Sequence, residues 1–290
     1  MELLNVDLAK FTGKETHWEE TIIMPISDVQ LGGIGCDEDR FRKHIEWGIK
    51  NNALFVGVGD FVDVASPSNR DTLRKGKIYD SLKLALDEAA QKHVERFLKL
   101  VKGTEGKWLG MVEGHHFHEF QDGSTSDTRI AKALGTTFLG DSAFIRLQFS
   151  DSKGSSGSIT TTIWMHHGEG SGSKASSPLN KLENLIAYFD ADVYLIGHMH
   201  RKVASPIDQI YMTKSNTPIL GHRTRLIACT GSFLKGYMHG SESDGRPGGT
   251  YVEQRMLNPV ALGGIVLKLK PEKIKKDGSS FRKVDIKVEL

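Results

Sequence analysis

Cysteine is nearly absent: Cys36 and Cys229 are the only two in 290 residues. Two isolated thiols exclude a disulfide scaffold and a cysteine-rich zinc site, and they suit the reducing cytoplasm. Charge of one sign is also lacking. Lys and Arg number 38 against 36 Asp and Glu, a formal net charge of +2. That balance excludes bulk attraction to nucleic acid or to a membrane and leaves only local patches. No run of about 18 apolar residues occurs, so no transmembrane helix is expected. The opening MELLNVDLAKFTGK lacks the basic-then-apolar pattern of a signal peptide. Gly57-Val58-Gly59 is not followed by the glycine that a dinucleotide-binding turn needs. No G-x-S-x-G nucleophile motif is present either.

What is present fits a globular α/β protein. Hydrophobic residues are 38% and charged residues 26%. Residues 1–20 are polar and aperiodic, and read as an N-terminal extension. Residues 21–290 read as a single domain with a strand-rich C-terminal part. Short apolar runs at 21–27, 53–58, 108–112 and 193–196 predict buried strands. Pro25 sits uneasily in the first of them. Residues 143–149 and 159–165 predict a hairpin around the loop DSKGSSGS. Helical spacing covers 37–51, 78–101, 127–134 and 178–189. Beyond residue 201, short β-like segments alternate with glycine-rich turns, the last at 284–288. Residues 268–290 hold eight Lys/Arg and four Asp/Glu, which reads as a solvated edge strand before it reads as a nucleic-acid patch.

Histidine is the informative residue. Seven of the 12 fall in three groups: His115, His116 and His118; His166 and His167; His198 and His200. A metal site requires such clustering. His17, His44 and His93 stand apart and carry no assigned role. Five apolar strands each run into ligand-type residues: Asp28 and Gln30; Asp60 and Asp63; His115 and His116; His166 and His167; His198 and His200. Ligands of open α/β sheets bind at the carboxyl ends of strands. Asp28 and Gln30 are two apart, as are His198 and His200, and each pair reaches one face if its segment stays extended. A carboxylate can bridge two cations, and Asp60 is best placed to do so. Carboxylate, carboxamide and imidazole ligands favour Mn, Fe or Zn over Ca. Two such ions about 3.5–4 Å apart clamp a phosphoryl displacement.

The order D-x-Q, G-D-x-x-D, G-H-H, H-H-G and G-H-x-H resembles the calcineurin-like metallophosphoesterases. Their usual pattern is D-x-H, G-D-x-x-D, G-N-H-[DE], a lone His and G-H-x-H. The resemblance spans Asp28 to His200 and implies a four-layer αββα sandwich with a binuclear metal centre. Carried over, it implies that Asp28, Gln30, Asp60 and His200 hold one metal. Asp60, His115, His198 and one of His166 or His167 hold the other, His166 being preferred because it follows the strand directly. His116 matches the histidine that protonates the leaving group or stabilises the transition state. Asp63 would support the site from behind, and either Asp63 or Glu119 would orient His116, because Phe117 stands where the family has an acid. His118 reads equally as a surface or a supporting residue. Gln30 in place of histidine weakens the first site for soft ions and favours Mn, with Mg, Fe or Zn as alternatives.

Protein phosphatases of this superfamily carry G-D-x-V-D-R-G, whereas this chain reads GDFVDVAS and lacks that arginine. The pattern therefore resembles the phosphodiesterase and DNA-repair-nuclease branches. The expected activity is hydrolysis of a phosphodiester in nucleic acid or a nucleotide by direct attack of metal-bound hydroxide. The alternatives are a phosphomonoesterase and a protein-binding scaffold of weak or lost activity. A structural zinc protein built on the His pairs is disfavoured, because Asp28, Asp60 and Asp63 accompany them. Arg201, Lys202, Arg223 and Arg225 follow the last motif; they read as solvated cations first and phosphate contacts second. The loop Glu169–Ser177 reads either as a substrate border or as a plain connection.

Overall fold

The structure is a computed structural model that describes residues 1–64, 79–151, 157–172, 174–214, 218–240, 242–243, 246–276 and 279–290. The elements run β1 (Glu2–Asp7), α1 (Leu8–Phe11), β2 (Thr21–Ile26), α2 (Glu38–Lys50), β3 (Leu54–Gly57), α3 (Asp80–Leu100), β4 (Trp108–Met111) and α4 (Ser126–Leu134). They continue with β5 (Ser142–Ser150), β6 (Ser158–His166), α5 (Ser177–Ile186), β7 (Val193–Ile196), β8 (Lys202–Met212) and β9 (Leu220–Ser232). The rear part adds β10 (Glu242–Ser243), β11 (Arg246–Pro247), α6 (Tyr251–Gln254), β12 (Gly263–Gly264), β13 (Val266–Lys276) and β14 (Ser279–Glu289). One sheet has the order β1-β5-β6-β7-β9-β12, with β8 also paired to β9; the other has the order β14-β13-β2-β3-β4.

Period-two alternation sorts the side chains into layers. Ile163, Met165, Val193, Leu195, Leu226 and Ala228 of the first sheet meet Ile23, Leu54, Val56 and Leu109 of the second in a core between the sheets. The intervening Trp164, Tyr194, Ile196 and Ile227 face away and pack on Leu182 of α5. On the far side, Met24, Phe55, Trp108 and Met111 pack on Phe41, Ile45, Val94, Phe97 and Ile130 of α2, α3 and α4. The layers are therefore helix, sheet, sheet, helix: the expected αββα sandwich of an α/β protein. β2, β3 and β4 are parallel neighbours, as are β6, β7 and β9. Their buried faces on both sides explain why the sequence reads as continuous apolar runs.

The structure differs from the sequence reading in several places. The N-terminal residues, read as an extension, contain β1, which pairs in parallel with β5 from Glu2–Ala143 to Asp7–Gln148. Its alternation is weak because only one face meets the core. The rear strands are long rather than short: β8 and β9 form an eleven-pair hairpin, and β13 and β14 another. Pro25 is tolerated because the β13 ladder on β2 ends at Ile23, before the proline. The DSKGSSGS loop lies mostly outside the described residues, but β5 and β6 do pair antiparallel up to Ser150–Ser158. β14 is an edge strand, and its hairpin pairs some of its cations internally, Lys268 with Glu289 and Lys283 with Glu272, while Lys273 pairs with Asp151.

One half-buried histidine gives the fold a pH signature. His44 on α2 packs beside Phe233, ring centroids 5.4 Å apart, and its Nε2 is buried without a hydrogen-bond partner. Burial, then the charge of Lys202, pushes its pKa down to about 4. The unfolded chain takes up this proton near 6.5. Stability is therefore fully present above that value and falls as the pH drops toward 4. His44→Gln should lose about 2 kcal/mol less than the parent between pH 7 and pH 5, read from urea midpoints. Equal losses in both proteins would contradict it.

Candidate metal centre

The carboxyl ends of β2, β3, β4, β6 and β7 meet at one point between the sheets. Backbone bonds continue past the strands and hold the ends there. Asp28 N–H donates to the Gly59 carbonyl and Gln30 N–H to the Asp60 carbonyl, while Gly197 N–H donates to the His167 carbonyl. The Asp28 carbonyl in turn accepts from Phe233 N–H and from the Ser232 hydroxyl. Asp28, Gln30, Asp60, His198 and His200 all have left-handed backbones, φ between 46° and 61°. The paired residues therefore reach the site through tight left-handed turns and not through an extended segment. Such conformations cost about 1–2 kcal/mol each outside glycine and persist where neighbours over-determine them. Gly114 is required by close approach: a Cβ there would stand 2.1 Å from Asp60 N and Oδ1.

Asp60 is the hub. Its Oδ1 accepts the N–H groups of His115 and His116 at 2.5 and 2.9 Å. Its Oδ2 lies 3.1 Å from His167 Nε2 and 3.9 Å from His116 Nε2. His167 Nδ1 donates to the Val58 carbonyl at 2.7 Å, which aims Nε2 into the site. Asp28 Oδ2 accepts the His198 N–H, and Asp28 Oδ1 is 3.3 Å from His200 Nε2. The Gln30 amide reaches the same imidazole at 3.4 Å. His115 and His198 face each other, Nδ1 to Nδ1 at 3.3 Å.

Two overlapping ligand sets result. Asp28, Asp60 and His167 form one; His115, His167 and His198 form the other. Within each, the ligand atoms lie within 4.8 Å of one another. Asp28 Oδ1, Asp60 Oδ2 and His167 Nε2 are buried and lack an aligned hydrogen-bond partner, although they stand at ion-pair distances from neighbours. Buried polar atoms left in this state are costly unless a cation satisfies them. The donor set thus fits divalent ions. Its electrostatics divide the histidines. Burial opposes charge on His167, but the Asp60 carboxylate outweighs it and lifts the pKa to about 9. Asp60 itself is held far below the usual carboxylate range, against burial, by His167 and then His116. Burial, followed by repulsion from His167, pushes His198 down to about 4 and lowers His115. The neutral, metal-binding form is thus favoured at His115 and His198, whereas His167 holds a proton that an arriving ion would displace.

His167, the alternative that the sequence left open beside the preferred His166, enters the cluster, and His166 does not. Met165 faces the core, so the alternation sends His166 outward and His167 inward. The His166 ring lies nearly parallel to Trp164, and its Nδ1 accepts Gly168 N–H. Asp63, not Glu119, meets His116: Oδ1 to Nδ1 is 3.0 Å. Burial disfavours the His116 cation, but the Asp63 bond and the Asp60 charge raise its pKa overall. His118 ties to Asp87 of α3 at 2.7 Å. Arg223 and Arg225 are taken up by Asp190 and Asp192, so neither is a free phosphate contact. The sequence reading passed over Ser126 and Asp127, which are buried against the histidine loop. Their only sequence signal was that of a helix start.

The geometry predicts a clean separation of the adjacent histidines. His167→Ala should abolish stabilisation by added Mn, whereas His166→Ala should retain it. In the parent, ion at 100 times its Kd contributes about 2.7 kcal/mol, a rise of several degrees in Tm. Thermal melts with and without chelator decide it, and the opposite ranking would restore His166.

The motif resemblance holds at the level of architecture, with the motif residues at the strand ends of an αββα sandwich. No protein-family model and no curated protein matches the chain. Among solved structures, Vps29 of Cryptosporidium parvum is 12% identical, with a TM-score of 0.38 over 93% of this chain and 100% of its own. A zinc complex of Entamoeba histolytica Vps29 is 10% identical, with a TM-score of 0.38 over 92% and 99%. A predicted phosphoesterase of Streptococcus pneumoniae is 12% identical, with a TM-score of 0.31 over 92% and 98%. Likeness this remote leaves the strand-end side chains as the ground for any functional assignment.

Proposed function

We propose that this chain is a binuclear metal-dependent phosphodiesterase acting on a nucleic acid or a nucleotide. The observation that carries the proposal is the convergence of Asp28 Oδ1, Asp60 Oδ2 and His167 Nε2, buried and without aligned hydrogen-bond partners, beside a carboxylate-held histidine. Asp28, Gln30, Asp60 and His200 would hold one ion; Asp60, His115, His167 and His198 would hold the other. Mn suits this mixed oxygen and nitrogen set, with an amide in place of one imidazole. Bound ions would lower the pKa of water and cancel charge on the phosphate oxygens.

The chain's own groups supply the rest. His116 is half-buried at the rim, and Asp63 fixes its Nδ1, leaving Nε2 to face the site. Against burial, the Asp63 bond and the Asp60 charge raise its pKa and so favour the protonated form that a departing alkoxide needs. Asp60 Oδ1 anchors the backbone of His116, so the acid moves little relative to the ligands. The absence of an arginine at position 64, where Val64 stands, removes a grip on the second charge of a monoester. That supports the diester over the monoester.

Metal-stripped protein resupplied with Mn should hydrolyse bis(p-nitrophenyl) phosphate faster than the monoester. Asp60→Asn should abolish this turnover. His116→Ala should lower kcat by about 10²–10⁴ while metal content stays at the parent's level. Faster monoester turnover would make the chain a phosphatase. Metal binding without turnover of either ester, with Mn, Mg, Zn or Fe, would favour the scaffold.

A further inference from the structure

The loop from Gly114 to His118 carries both a proposed metal ligand and the proposed acid, yet it contains no regular structure of its own. Three successive N–H groups point off this loop, and two carboxylates receive them. Asp60 Oδ1 takes those of His115 and His116. Asp127 Oδ2 takes that of Gly114 at 3.1 Å. At the loop's other end Ser126 makes a reciprocal pair with His118. Ser126 N–H donates to the His118 carbonyl at 2.9 Å, and Ser126 Oγ accepts the His118 N–H at 3.1 Å. Ser126 and Asp127 are consecutive, 0% and 1% exposed, and open the first turn of α4.

We infer that Ser126 and Asp127 form a clamp that positions the metal-ligand and acid histidines, with Asp127 as its principal positioning residue. The inference rests on the phosphodiesterase reading of the centre. A helix interior or surface would satisfy an aspartate at far lower desolvation cost than this site does. Here the carboxyl is enclosed and lies near two further acids, Asp60 and Glu113, which repel its charged form. A group kept in such surroundings needs a return. The Ser126 hydroxyl at 3.2 Å and the Gly114 N–H are the bonds that compensate it. Helix α4 gives the clamp rigidity. Thr125 and Thr128 close its N-terminus by reciprocal capping bonds, and Ile130, Ala131 and Leu134 bury its inner face. Gly135, left-handed at φ 68°, ends it. The clamp thus transmits the position of a packed helix to His115 and His116, neither of which is held by a strand.

The test compares parent, Asp127→Ala and Asp127→Asn by Mn titration calorimetry, by turnover of bis(p-nitrophenyl) phosphate, and by amide exchange in the metal-free proteins. Asn keeps an oxygen for the Gly114 N–H and should stay close to the parent. Ala should weaken Mn affinity or kcat by about 10- to 100-fold, as loss of a group supporting a metal ligand typically does. It should leave KM unchanged and speed exchange of the Gly114, His115 and His116 amides without speeding the core strands. A merely stabilising aspartate would lower Tm and accelerate exchange throughout, leaving affinity and kcat of the folded protein intact. That result, or an Asn variant as impaired as Ala, overturns the clamp. If Ala does not fold, the parent still decides: a Gly114 amide exchanging as fast as exposed loops overturns it, and protection matching the core supports it. A parent that neither binds Mn nor turns over the diester is a failure of the phosphodiesterase reading instead, and is told apart because it precedes any substitution.

Discussion

The Asp60 carboxylate is the constraint on which the rest of the centre depends. One oxygen is spent on the protein, receiving the N–H groups of His115 and His116; the other is left facing His167. The first use fixes a loop from one strand end. The second presents a ligand atom to an imidazole from the opposite sheet. A carboxylate can serve both only if its backbone sits within contact distance of Gly114, which is why no side chain is possible there. Asparagine in its place would keep one acceptor and lose the charge that offsets His167. The pair would then be a buried imidazole facing a neutral amide, which would hold a proton less firmly and would attract a divalent ion less.

Five candidate ligands in left-handed turns are the cost of gathering side chains from parallel strands. Parallel strands point the same way and end side by side, so their last residues diverge unless the chain bends at once. A residue with φ near +50° provides that bend, and Asp and His tolerate it better than β-branched residues do. The bonds from Asp28 and Gln30 to the neighbouring strand end, together with those from Phe233 and Ser232, hold the bend closed. The strain is therefore carried by sheet hydrogen bonding that exists without any ion.

Much of this was readable in the chain. The strand ends announced themselves because each apolar run stops at a polar residue with metal-binding chemistry, and topology requires those ends to be neighbours. The layer order was implied by the motif resemblance, and the continuous apolar runs agree with it because they fit strands covered on both faces. Other features were hidden for physical reasons. The choice between His166 and His167 turns on parity. Ile163 and Met165 point to the inter-sheet core, so residue 167 shares their side and residue 166 shares that of Trp164. β1 escaped notice because an edge strand with one covered face carries little pattern. Ser126 and Asp127 were invisible as supporting residues, since serine and aspartate at a helix start are ordinary capping chemistry. Only the spatial return of the 114–118 loop gives them a second task.

The ligand sets also join the two halves of the sandwich. Asp28, Asp60 and His115 come from the ends of β2, β3 and β4 in one sheet; His167, His198 and His200 come from the ends of β6 and β7 in the other. Contacts that need no ion already cross this seam: His167 to the Val58 carbonyl, His198 N–H to Asp28, and the Ser27 hydroxyl to Thr230 at 2.5 Å. The large apolar core between the sheets sets their spacing, and these polar bonds set their register at the open end. A centre built this way is arranged before an ion arrives, so binding energy is not consumed in ordering the ligands. The same logic explains why the side chains at this seam are short and stiff. Asp and His lose little rotamer freedom when fixed, and their reach matches a gap that the two sheets already hold open.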